Sequence, residues 1–181
     1  MIFTETKLAG AHVVEADRFE DERGYFERTF VHEEFEARGL DTRIVQTAVS
    51  YNRHKGTIRG MHYQADPHGQ AKLVRCLRGA VYDVIIDLRA DSATHRSWCA
   101  VELAAGSRRA LYVPNGFAHG FQTLEDDTEV TYQISTPYHA AAERGFTWND
   151  PAFGIEWPLP ATHLSDRDRS FPPAPTGKAG R

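Results

Sequence analysis

The sequence predicts an all-β protein, an antiparallel sandwich or barrel with a few short helices. Two observations carry this. Tyr82, Val84, Ile86 and Leu88 alternate with Val81, Asp83, Ile85 and Asp87. That period of two gives a strand one wholly apolar face and one mixed face. Comparable runs recur at 72–77, 98–103, 111–113 and 129–134, separated at hairpin-like intervals by Gly79, Gly106, Asn115-Gly116 and Asp126-Asp127. Evenly spaced short strands of this kind speak against βαβ units. On the mixed face Asp83 and Asp87 either meet solvent or line a cavity, and solvent is the expectation for a carboxylate.

One helix is predicted over 31–38, where Val31, Phe35 and Leu40 mark an apolar side and Gly39 supplies the stop. The N-terminal segment 3–14 has the length to pair with an exposed sheet edge, which an open β-fold must cover. From Ala140 onward the pattern weakens, and Asn149-Asp150-Pro151 and Trp157-Pro158 mark turns. The Pro-rich tail, 170–181, is expected to be extended and frayed. No repeat or linker interrupts the chain, so a single domain over 1–181 is expected.

With 181 residues, 41% hydrophobic and 25% charged, the chain has the size and composition of one soluble globular domain. A net charge of -4 provides no overall attraction to nucleic acid or to an anionic membrane, so any anionic ligand needs a local cluster of cations. Cys76 and Cys99 form neither a disulfide framework nor a metal-ligand pair by spacing, and Cys76 reads as a buried thiol suited to a reducing compartment. The N-terminus lacks the regions of a signal peptide, and no apolar stretch approaches membrane-spanning length. A cytoplasmic location is expected.

Two stretches concentrate chemistry: Arg59-Gly60-Met61-His62-Tyr63-Gln64 and Pro114-Asn115-Gly116-Phe117-Ala118-His119-Gly120-Phe121. Each histidine alone reads as a satisfied core or turn residue. Both are expected at a strand or turn edge, and with Arg59 nearby the combination favours function. Arg23, Arg28, Arg59, Lys72 and Arg75 are many cations for half-buried segments. Individually they read as snorkelling edge residues. Together with the aromatics of Asp21-Glu22-Arg23-Gly24-Tyr25-Phe26 they fit a pocket for a phosphorylated ligand, with Arg gripping a diphosphate and a ring stacking on a base or sugar. Tyr132 and Tyr138, taken alone, read as strand aromatics facing the core. Pro114-x-Gly-x-x-His119 also matches the second half of the cupin signature. A metal site needs about three or four N, O or S ligands in one place. Around His62 the first half of the signature is replaced by Tyr63, Gln64, Ala65 and Asp66, and the spacing of His54, His68 and Glu102 does not ask for a substitute.

The chain resembles the dTDP-4-dehydrorhamnose 3,5-epimerase family from about Asp21 to Asp168. The motifs are Asp21-Glu22-Arg23-Gly24, the two histidine stretches, Lys72-Leu73-Val74-Arg75, Tyr82-Asp83-Val84 with Asp87-Leu88-Arg89, Trp148-Asn149-Asp150-Pro151 and Leu164-Ser165-Asp166-Arg167-Asp168. The resemblance implies a cupin-type jelly-roll barrel, a homodimer with sites built from both chains, no metal or organic cofactor, and a nucleotide-diphosphate sugar as substrate. It implies His62 as general base, Asp168 as the carboxylate that orients it, Lys72 as the cation at the developing oxyanion and Tyr132 as the proton-donating phenol. His119 matches a pocket residue supporting the same oxygen or the sugar. Arg23, Gln46, Arg59, Glu143 and Arg167 match positions that hold the nucleotide diphosphate or sugar, and Phe26, Arg28 and Tyr138 complete the expected binding set.

Two positions depart from the family's usual pattern. Arg28 stands where a ligand-binding Glu is common, and Gln46-Thr47-Ala48 replaces Gln-x-Asn, with the loop before Arg59 one residue longer. Both lie in substrate recognition, while His62, Lys72, Tyr132 and Asp168 are all present. The expected activity is epimerisation of dTDP-4-dehydro-6-deoxyglucose at C3 and C5 through an enolate. Competing readings are epimerisation at one carbon only, or of a CDP or GDP sugar, a metal-dependent cupin oxygenase using His119, and a sugar-nucleotide binding module without catalysis.

Overall fold

In the computed structural model, which describes residues 1–175, two antiparallel sheets face each other. The strands are β1 (Ile2–Glu5), β2 (His12–Glu15), β3 (Asp17–Asp21), β4 (Gly24–Arg28), β5 (Gln46–Asn52), β6 (Ile58–Gln64), β7 (Lys72–Arg78), β8 (Ala80–Asp87), β9 (Trp98–Ala104), β10 (Arg109–Val113), β11 (Phe117–Thr123), β12 (Thr128–Ile134) and β13 (Glu143–Gly145). Helices α1 (His32–Glu36) and α2 (Asp166–Ser170) are one turn each, and Ala140–Ala142 forms a 3-10 turn. One sheet runs β1-β2-β10-β7-β12-β5 and the other β13-β6-β11-β8-β9, while β3 and β4 pair only with each other as a ribbon. From β9 to β12 each connection crosses to the opposite sheet. This is the jelly-roll arrangement.

The turn signals at Gly79, Gly106, Asn115-Gly116 and Asp126-Asp127 mark real chain reversals, but the strands they join lie in opposite sheets instead of forming hairpins. Periodicity identifies a strand without naming its partner. The N-terminal segment does cover an edge: β1 and β2 extend the six-stranded sheet through β10, with Leu111 opposite Val13.

The alternation on β8 sorts its side chains between two layers. Val81 and Ile85 enter the space between the sheets with Val74, Leu103, Leu111, Phe117, Phe121 and Val130. Val84 and Ile86 face outward and are covered by Phe146 and Phe153 of the C-terminal segment. A third cluster packs Phe35 of α1 against Val14, Leu73, Ala110 and Tyr112. Fully burying one such side chain contributes roughly 1.5–3 kcal/mol. Helix α1 ends as expected, with Gly39 at φ 69° and the Leu40 amide bonded to the Phe35 carbonyl.

Asp83 and Asp87, expected in solvent, are fully buried, because the mixed face of β8 is the inward one. Asp87 accepts from Arg89, Ser92 and Thr94. Burial pushes its carboxyl up, but these donors outweigh burial and hold it at about 2. The tail is not frayed over 171–175. Phe171 packs edge-on against His62, and Ala174 is buried and donates its amide to Asp150 Oδ2 at 2.6 Å. The remainder of the predicted tail, 176–181, lies outside the described residues.

Between β6 and β11 the register runs His119 to His62 and then Phe121 to Arg59, so β6 carries one extra residue, a β-bulge. The strands approach closely there. A Cβ on Gly60 would lie 2.6 Å from the Gly120 Cα, and one on Gly120 would lie 2.8 Å from the Arg59 carbonyl oxygen. Gly60 (φ 131°) and Gly24 at the tip of the β3–β4 ribbon (φ 125°) have nearly the same backbone angle, but a Cβ on Gly24 meets nothing within 4 Å. Gly24→Ala is therefore expected to cost only backbone strain, about 1–2 kcal/mol, and Gly60→Ala about 3 kcal/mol or more. Urea unfolding of both variants measures this, and equal midpoints would rule out the close approach as the constraint.

Candidate active site

A cavity of about 500 Å³ opens at one end of the space between the sheets. Strand β6 supplies Arg59 and His62, β11 supplies His119 and Phe121, and α2 supplies Arg167 and Asp168. The six-stranded sheet supplies Gln46 and Ser50 from β5, Lys72 from β7, and Tyr132 and Ile134 from β12. Gln70, Tyr138 and Ser165 complete the lining. Of the expected residues, His62, Lys72, Tyr132, Asp168, Gln46, Arg59, His119, Tyr138 and Arg167 thus share one space. Glu143 joins them at the rim, accepting from Tyr138 Oη and Arg167 Nη1, each at 2.8 Å.

The two histidines lie within strands, not at their edges, and are direct cross-strand partners on the same face. His62 Nε2 is 2.5 Å from Asp168 Oδ1, and His119 Nε2 is 2.5 Å from Asp83 Oδ1. Burial pushes the Asp168 carboxyl up, but the hydrogen bond and charge of His62, the Ser165 hydroxyl and Arg167 outweigh it and hold the group below its ordinary value. An ionised Asp168 accepts the Nε2 proton and leaves Nδ1 as the basic nitrogen of His62.

Helix α2 brings Asp168 to this position. Ser165 caps it, accepting from the Asp168 amide at 3.0 Å, and the Ile58 amide bonds the His163 carbonyl at 2.9 Å beside β6. The Ser165-x-x-Asp168 spacing is a helix-start signature that could have located this helix from the sequence. Ser50, Phe121 and Ile134 were also readable by counting in twos from Gln46, His119 and Tyr132.

On the facing sheet, burial brings the Lys72 ammonium down to about 8, with the charges of Asp83 and Glu143 holding it up. Burial, with the Asp83 charge, pushes the Tyr132 phenol up, while Ser50 and Arg59 pull it back. Arg59 Nε donates to Asn52 Oδ1 at 2.7 Å and Nη2 to the Tyr51 carbonyl, which fixes the guanidinium at the cavity wall. Ala48 sits directly opposite Tyr132 in the β5–β12 ladder. The cavity thus carries a base on one sheet and a buried ammonium and a phenol on the other, as removal and return of a proton beside a carbonyl requires.

Three expected ligand contacts are not brought to this cavity. Arg23 pairs with Asp21 at 2.5 Å, Phe26 is exposed, and Arg28 lies over the Phe19 ring, all on the β3–β4 ribbon. The ribbon pairs with neither sheet, so its register cannot carry them inward. Tyr138 is 56% exposed at the rim, not core-facing, because it lies outside any strand. Two of the side chains weighed as metal ligands are engaged elsewhere, His54 stacked on His163 and His68 on His139. Among the described residues no group of three or more His, Cys, Asp or Glu is placed to hold a metal ion.

The model of the dTDP-4-dehydrorhamnose 3,5-epimerase family matches residues 5–175. A dTDP-4-dehydrorhamnose 3,5-epimerase of Sinorhizobium fredii is 42% identical over 173 residues, covering 95% of this chain and 89% of that protein. The crystal structure of the Bacillus anthracis enzyme, with TDP and PPi bound, superposes with a TM-score of 0.92 at 42% identity, over 96% of this chain and 99% of that one. The Legionella pneumophila dTDP-6-deoxy-D-glucose-3,5-epimerase, in complex with dTDP-4-keto-L-rhamnose, gives a TM-score of 0.89 at 34% identity, over 95% of this chain and 92% of that one. At these identities over nearly the whole length, the chain belongs to the dTDP-4-dehydrorhamnose 3,5-epimerase family.

Proposed function

We propose that this cavity epimerises dTDP-4-dehydro-6-deoxyglucose at C3 and C5. One observation carries the reading: the base and the acid stand on opposite walls. His62 projects from the five-stranded sheet and Tyr132 from the six-stranded sheet, with Lys72 beside Tyr132's strand. Inverting a carbon requires a proton to leave one face and return to the other.

The C4 ketone acidifies the protons on C3 and C5, because loss of either gives an enolate. His62 Nδ1 takes the proton while Asp168 stabilises the imidazolium formed. Lys72 balances the enolate oxygen, an interaction worth several kcal/mol in a site that excludes water. Tyr132 returns a proton from the other face. Arg59 and Arg167 serve the diphosphate, and Tyr138 stacks at the rim. The reaction needs no redox partner, since the substrate's own ketone provides the electron sink.

A second copy of the chain completes the reading. The outward face of the six-stranded sheet exposes Val49, Tyr51 and Leu77, and the buried Arg75 Nη2 on that face has no hydrogen-bond partner. The ribbon exposes Phe19, Tyr25 and Phe26 beside Arg23. A two-fold dimer covers these surfaces and carries Arg23, Phe26 and Arg28 to the partner's nucleotide. A cytoplasmic location accompanies this reading, supported by the two buried free thiols Cys76 and Cys99. No helix among the described residues is long and apolar enough to cross a membrane.

In deuterated water the protein is expected to exchange the C3 and C5 protons of dTDP-4-dehydro-6-deoxyglucose, with His62→Ala slower by about 10²–10⁴-fold. Proton NMR reads both carbons. Exchange at C3 alone would select the single-carbon reaction, and exchange at neither would end the epimerase reading. The enolate needs charged Lys72, and that charge is lost as pH rises through about 8, so kcat/KM is expected to fall above about pH 8. Lys72→Arg keeps its cation and should carry that limb to higher pH; an unmoved limb assigns it to another group. Light scattering at micromolar concentration should give a dimer, and a fully active monomer contradicts the shared site.

A further inference from the structure

The carboxylate of Asp83 has no part in the steps above, yet the fold goes to some length to hold it. Asp83 is fully buried on the inward face of β8. Its Oδ1 meets His119 Nε2, while Oδ2 is equally buried and has no hydrogen-bond partner among the described residues. A buried carboxylate oxygen left unpaired is unfavourable for folding, and an amide or an apolar side chain of similar size would be easier to accommodate.

Its neighbours suggest what the charge is for. The His119 and Tyr132 rings meet edge-on with centroids 6.2 Å apart, so Asp83, His119 and Tyr132 form a line from β8 through β11 to β12 across the space between the sheets. Lys72 faces the same space from β7, opposite Ile134 of β12. The other charged or titratable groups around it are Arg59 and His62 of β6, Asp168 and Arg167 of α2, and Glu143 of β13 with Tyr138. Among those anions Asp168 is committed to His62, and Glu143 to Arg167 and Tyr138. Asp83 alone has a buried carboxylate oxygen without a hydrogen-bond partner among the described residues, and no guanidinium or ammonium there is paired with it. It lies behind His119, outside the cavity lining, so its charge reaches Lys72 and Tyr132 without touching the sugar.

We propose that Asp83 is a positioning residue whose uncompensated charge keeps the protons on Lys72 and Tyr132 and turns His119 Nδ1 toward the substrate. The proposal rests on the epimerase reading, in which Lys72 must be a cation and Tyr132 a neutral phenol when the carbon acid ionises. It agrees with the direction of the Asp83 charge effect on both groups, which favours the protonated form of each.

The test is the titration of Lys72 in the substrate-free protein, followed by the 15N resonance of its Nζ, in wild type and in Asp83→Asn. The amide keeps an acceptor for His119 and removes only the charge. The ratio of charged to neutral Lys72 at a given pH is expected to fall about tenfold in the variant, and the alkaline limb of kcat/KM to move down with it. A wild type that epimerises and an Asp83→Asn protein whose Lys72 titration and alkaline limb stay in place would overturn the proposal while leaving the function intact. A shifted titration in a protein with no epimerase activity would support the charge coupling and sink the function. Should Asp83→Asn fail to fold, reciprocity provides the second arm. In Lys72→Met the 13C carboxyl titration of Asp83 is expected to move up by the same factor, and an unmoved Asp83 refutes the coupling.

Discussion

A β-strand gives every second side chain to one face, and β6 must give two inward residues that are three positions apart. Arg59 and His62 cannot both face the cavity from a regular strand. The extra residue of the bulge restores the count, and the near-contact of Gly60 with Gly120 makes room for it. Much else follows from this local adjustment. Met61 and Tyr63 turn outward, where Phe146 packs against them, and the Phe146 amide bonds the Met61 carbonyl. The same C-terminal segment then continues over the sheet, forms α2 and delivers Asp168 to His62.

The two histidines that the bulge aligns are served by carboxylates of different kinds. Asp168 rides on a one-turn helix whose start is capped by Ser165 and whose approach is bridged to Thr57 just before β6, and its Oδ1 is bonded to the His62 imidazole. Asp83 is built into a barrel strand and is only half committed. One carboxylate meets its imidazole from a helix outside the barrel, and the other from within a barrel strand. Both differ from the ion pair at the rim, where Arg167 and Glu143 remain partly exposed and their attraction is weakened by water.

The strand positions were legible because alternation survives in sequence, as at Val81 to Asp87. Their pairing was not, because nothing local in Gly79 or Gly106 says which sheet the next strand joins. Asp83 illustrates the limit well. Its place on the mixed face was readable, yet whether that face met water or another sheet depended on closure of the whole barrel. The tail misled for a related reason: Phe171 and Ala174 look unremarkable among prolines until Asp150 and His62 are there to receive them. The chemistry of His62, Lys72, Tyr132 and Asp168 was legible only as a family pattern, since their separation along the chain hides that they share one cavity. The ribbon residues Arg23, Phe26 and Arg28 show the opposite failing, a pattern match that the fold of one chain does not bring to the cavity.

The crossing connections have a kinetic side. Among the described residues only β1–β2, β3–β4 and β8–β9 pair strands adjacent in sequence, and every other ladder joins strands far apart in the chain. Long loops must close before those ladders return any free energy, which places such topologies among slow folders, on the order of milliseconds to seconds. The cavity draws on β5, β6, β7, β11, β12 and α2, so no early hairpin contains even half of it. Partly folded chains therefore hold none of the assembled chemistry, and activity during refolding appears only after the last long-range ladder has formed and α2 has docked.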